Sequence, residues 1–78
     1  MHDKNWLGLQ GNHINDATNY TMNILRELEN AIFSDAYPES VKQSMIRTSA
    51  QLQLCVRGLD LAQNHIICAW ECYGDEGN

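Results

Sequence analysis

Ten positions in the second half of the chain repeat in an unbroken three-four spacing: Val41, Met45, Thr48, Leu52, Cys55, Leu59, Ala62, Ile66, Ala69 and Tyr73. That spacing holds residues on one face of a helix and marks a helix-packing seam. Half of the repeat is small (Val41, Thr48, Cys55, Ala62, Ala69) and half is larger (Met45, Leu52, Leu59, Ile66, Tyr73). A ridge of small side chains lets a neighbouring helix come close. The pattern predicts one long helix over 38–72, with Pro38 at its first position and Glu39 at the positive end of the helix dipole.

A second stripe lies upstream, made of Ile14, Ala17, Thr21, Ile24, Leu25, Leu28, Ala31 and Ile32, with Asn23, Arg26, Glu27, Glu29 and Asn30 on the polar side. It predicts a helix over 13–34, capped by an Asn or Asp between Asn12 and Asp16. Only Asp35, Ala36 and Tyr37 separate the two elements, and so short a connection makes them antiparallel neighbours. Residues 1–12 read as an ordered N-terminal segment: Gly8 and Gly11 interrupt it, while Trp6, Leu7 and Leu9 need burial. Residues 74–78 read as a flexible tail. The expected fold is all-α, a helical hairpin forming a single small domain over 1–78.

The two lengths do not match. The first helix is about 20 residues, or roughly 30 Å, and the second roughly 50 Å. Ile66, Ile67, Trp70 and Tyr73 then extend past the reach of the first helix unless Trp6 to Leu9 fold back, a second chain covers them, or the helix breaks at Gly58. Ile46, Leu54, Val56, Leu61, Ile67 and Trp70 also lie off the seam. One hairpin cannot cover both sides of a helix, so the surplus predicts self-association, most simply a homodimer forming a helical bundle. Tyr37, Leu54, Leu61, Ile67 and Trp70 are the expected contact residues, toward a second copy or toward a foreign protein.

Composition narrows the function. Five Lys and Arg stand against ten Asp and Glu, a formal net charge of −5, which argues against DNA or RNA as a direct partner. No run approaches the roughly 20 apolar residues of a membrane span, and Met1 to Gln10 lack the pattern of a signal peptide. Three cysteines, two of them (Cys68 and Cys72) one helical turn apart, read as free thiols in a reducing, cytoplasmic setting.

Three constellations could carry chemistry. His65, Cys68 and Cys72 fall at i, i+3 and i+7. They are zinc-ligand types, but one straight helix rarely brings three ligands to one ion, so neither metal nor cofactor is expected. Cys68 with His65 lacks any oxyanion donor, and no phosphate loop or hydrolase triad is present, so catalysis is not expected. Ser40, Ser44 and Arg47, at i, i+4 and i+7, share a face beside Thr48 near a helix N-terminus, an arrangement suited to an anion or nucleotide.

That order of residues resembles the small phage proteins that sequester cyclic oligonucleotide signals of bacterial defence systems. The resemblance covers about half the chain and is carried by Pro38, Ser40, Ser44 and Thr48. It implies a helical hairpin in an oligomeric sponge for a cyclic nucleotide. The Lys-Leu-Glu-Glu run of that pattern is replaced by Ser49-Ala50-Gln51-Leu52. The leading expectation is instead a non-enzymatic interaction protein, a regulator or inhibitor of phage or mobile-element type that docks apolar helix surface on a host protein.

Overall fold

The computed structural model describes residues 3–76, which form two antiparallel helices, α1 (Lys4–Phe33) and α2 (Glu39–Glu76). No strand is present among the described residues. The all-α hairpin expected from the hydrophobic pattern is the observed architecture.

α1 starts earlier than the sequence pattern predicts. Asp3 is its N-cap, with extended backbone and a side-chain carboxylate that accepts from the Trp6 amide at 3.0 Å. Such a cap satisfies one of the helix's free N–H groups. The expected N-terminal segment is therefore the first turns of α1, running straight through Gly8 and Gly11. It does not fold back over the end of α2; it lengthens α1 until the two helices nearly match. At the far end, Gly74 to Glu76 continue α2 where a tail was expected, and residues 77–78 lie outside those described.

The connection is a compact turn. The Ser34 hydroxyl accepts from the Ala36 amide at 3.0 Å. The carbonyl of Pro38 accepts from the amides of Val41 and Lys42, both at 3.1 Å, so Pro38 caps α2 rather than occupying its first turn. Lys42 Nζ lies 4.0 Å from the fully exposed Asp35 carboxylate, a pair worth little in water.

Burial along the two helices follows two matching three-four series. On α1 it is Leu7, Gly11, Ile14, Thr18, Thr21, Leu25, Leu28 and Ile32; on α2 it is Lys42, Met45, Ser49, Leu52, Val56, Leu59, Gln63 and Ile66. Of the larger half of the predicted seam, Met45, Leu52, Leu59 and Ile66 are in place, and Tyr73 is exposed. Of the smaller half, Ala62 is partly buried, whereas Val41, Thr48, Cys55 and Ala69 are exposed, and Lys42, Ser49, Val56 and Gln63 are the less exposed residues on that flank. From any helix position both i+3 and i+4 lie on the same side, so the large ridge can be completed on either flank.

Glycines on α1 decide the flank. Trp70 stands beside Gly8, where a Cβ would lie 3.5 Å from its Nε1, and Ile66 and Gln63 stand beside Gly11. Small residues on α1 thus receive large ones from α2. Lys4 Nζ completes this end, 3.9 Å from the centre of the Trp70 ring, within cation–π range. The molecule measures 60 × 18 × 15 Å. Its radius of gyration, 17.6 Å, far exceeds the about 12 Å of a compact chain this long.

Candidate functional site

The consequence of two helices with nothing on top of them is the absence of a closed core. Among the described residues no apolar side chain is fully buried; only Gly11 and Ser49 are. Apart from these two, the seam residues remain partly exposed. Trp6, Leu9, Tyr20, Met22, Phe33, Tyr37, Val41, Ile46, Leu54, Leu61, Ile67, Trp70 and Tyr73 are all substantially exposed, Phe33 at 86%.

The surface area gives this a scale. The hairpin exposes 5970 Å², whereas a folded monomer of this mass exposes about 4,800 Å². The excess, on the order of 1,100 Å², exceeds the roughly 800 Å² that each partner covers in a standard protein–protein interface.

The expected contact residues do not form one surface. Leu54 and Leu61 are seven apart, so they share one face of α2, turned away from α1 and exposed at 57% and 60%. Ile67 and Trp70 lie elsewhere, lining a shallow cleft of about 160 Å³ with Leu7, Gly8, Gly11 and Ile66. Tyr37 lies in the turn between the helices. Another groove, about 640 Å³, opens near the turn between Ile32 and Phe33 of α1 and Ile46, Ser49 and Ala50 of α2. Ile32, Phe33 and Ile46 make it apolar. The hydrophobic pattern gave no sign of it, because Phe33 lies outside the predicted buried stripe of the first helix.

Both grooves follow the same flank of the seam and each contains one polar atom with no hydrogen-bond partner: Ser49 Oγ near the turn and Gln63 Oε1 near the open end. Such groups typically cost about 1–3 kcal/mol when left unpaired. The seam is thus weakest where α2 contributes polar residues.

Ser40, Ser44, Arg47 and Thr48 lie along the first turns of α2, and two of their hydroxyls are occupied locally. Ser44 donates to the Ser40 carbonyl at 3.5 Å and Thr48 to the Ser44 carbonyl at 2.9 Å. Ser40, Ser44, Arg47 and Thr48 are all exposed on a convex helix surface and line neither groove. His65, Cys68 and Cys72 are exposed as well. Among the described residues no three His, Cys, Asp or Glu side chains come together as a metal site, and no helix is long and apolar enough to cross a membrane.

α2 is continuous through Gly58. A Cβ added there would meet nothing within 4 Å, so the hairpin itself does not use this glycine. Relative to Ala, it costs a helix interior about 1 kcal/mol.

The chain matches no protein-family model, no curated protein and no solved structure.

Proposed function

We propose that this chain is a non-enzymatic helix-docking protein, one that acts by burying its surplus apolar surface against another protein. The observation that carries the reading is the lack of any fully buried apolar side chain among the described residues, set beside so many exposed large ones. Burial of apolar surface is the main favourable term in folding, and a hairpin without a closed core gains too little of it to offset the entropy of ordering its chain. Docking supplies what the hairpin lacks.

Small size, a net charge of −5 and an elongated shape suit a regulator or inhibitor that lies along a helical surface of its target. Self-association and capture of a host protein are compatible, since Leu54 with Leu61 and the cleft beside Trp70 occupy different faces of α2.

Thermal unfolding followed by circular dichroism at widely spaced protein concentrations tests the reading. Folding coupled to association makes the midpoint rise with concentration. A sharp, cooperative transition whose midpoint is independent of concentration, in a chain that sediments as a monomer, would show that the hairpin is sufficient alone and sink the proposal.

A further inference from the structure

We propose that two copies of this chain pair through their α2 helices, crossing at Gly58 about a two-fold axis. This rests on the helix-docking reading and assigns it a surface and a partner. Gly58 lies halfway along α2, on the side away from α1, with open space where a side chain would be. Its neighbours at i±3 and i±4, which surround any helix position, are Leu54, Cys55, Leu61 and Ala62. All four are apolar or small, and the two leucines are well exposed.

A contact centred on glycine lets two helix backbones approach more closely than any side chain would permit. Because Gly58 is at the midpoint, an antiparallel crossing there overlaps the whole length of both α2 helices. A two-fold perpendicular to the helices keeps each residue on its own side of the contact and reverses its position along the axis. Leu54 of one copy then meets Leu61 of the other, and Cys55 meets Ala62. The result is a cluster of four leucines on one side of Gly58 and a close approach of small residues on the other. Such self-matching is what an isologous interface requires.

Charge does not stand against a second copy at this spot. Two molecules that each carry −5 repel, so they meet best where neither is charged. From Gln51 to His65 the outward face, formed by Gln51, Leu54, Cys55, Gly58, Leu61 and His65 with the partly buried Ala62 at its edge, carries no Asp, Glu, Lys or Arg. The hairpin's excess exposed area, taken over all its faces, is large enough to include the share that one partner covers in a standard interface.

The test compares the full-length chain with Gly58→Leu by sedimentation equilibrium and circular dichroism. Leucine is a far better helix former than glycine, so the hairpin alone gains helicity while the crossing is obstructed. The wild-type chain is expected to be a dimer, and Gly58→Leu to weaken it at least about tenfold, which is a change of about 1.4 kcal/mol, with helicity undiminished at concentrations that keep the chain associated. A dimer unmoved or tightened by Gly58→Leu overturns the crossing but leaves the helix-docking reading intact. A wild-type chain that is a well-folded monomer at hundreds of micromolar overturns both.

A second variant covers the case in which Gly58→Leu does not fold. With Cys55, Cys68 and Cys72 replaced by Ser, Gly58→Cys is expected to form an intermolecular disulfide under mild oxidation, because the two-fold sets position 58 against itself. Asn64→Cys in the same background, off this face, is expected to stay reduced. Equal cross-linking at both positions, or none at 58, overturns the proposal.

Discussion

Gly11 and Gly58 each lie inside a long unbroken helix, and their surroundings are opposite. Gly11 is buried in the seam; a Cβ there would lie 3.6 Å from Ile66 Cγ2 and 3.8 Å from Gln63 Nε2. Gly58 faces outward and would meet nothing. The first glycine belongs to a contact that one chain completes by itself. The second is surrounded by Leu54, Cys55, Leu61 and Ala62, the same mixture of small and large apolar residues that elsewhere defines a helix contact, but without the partner helix. The same local chemistry thus appears once with its partner and once without it, and the unfilled case points outward from the chain.

The largest effect separates the two regions outright. Leu59 lies in the seam, half-buried against α1. Leu59→Glu removes apolar contact and puts a charge into the seam, a loss of about 2–4 kcal/mol from a hairpin with no closed core to spare. The helix signal at 222 nm is expected to collapse at every concentration. If most of it survived, the pairing of α1 with α2 would be wrong. Gly58→Leu, one residue away in sequence, is expected to leave that signal intact at concentrations that keep the chain associated and to raise the concentration needed for assembly.

A smaller effect tests where the completed contact begins. Asp3→Ala removes the cap that holds the Trp6 amide, at a cost of about 1 kcal/mol. The first turns of α1 should fray, with faster amide hydrogen exchange near Trp6 and Leu7 and a lower midpoint of unfolding. If neither quantity moved, α1 would start in solution near Asn12 to Asp16, where the hydrophobic pattern alone places it.

That pattern located both helices, their antiparallel order and the ridge of Met45, Leu52, Leu59 and Ile66. It could not choose the flank. Val41, Thr48 and Cys55 read as seam because they are small or apolar, whereas the observed flank includes Lys42, Ser49 and Gln63, which no hydropathy pattern selects. The choice depends on Gly8 and Gly11 receiving Trp70 and Gln63 across the seam. This is a long-range match between parts of the chain that the local periodicity of either helix does not contain. Gly8 and Gly11 also hid the start of α1, since glycine near a chain end reads as a break unless its packing role is known. Leu54, Leu61, Ile67 and Trp70 were recognisable one by one as surplus apolar residues. Their division between two faces of α2 emerged only once the seam had a direction.

Gly11→Ala gives the finest measure of how closed the completed contact is. Distances of 3.6 and 3.8 Å to Ile66 and Gln63 are ordinary van der Waals contact, so the added methyl fits without displacing either helix. It also reduces the freedom of the unfolded chain and fills part of the small cleft beside Trp70. A gain of about 0.5–1 kcal/mol is expected. At any one concentration it should appear as a rise in the unfolding midpoint, with the dissociation constant of the assembly unchanged, because Gly11 is not on the face assigned to the second copy. Gly58→Ala carries the same propensity gain but places its methyl where the partner helix is proposed to cross. The two substitutions are chemically identical, so equal gains in both would show that Gly58 has no more neighbours in solution than it has in the single hairpin.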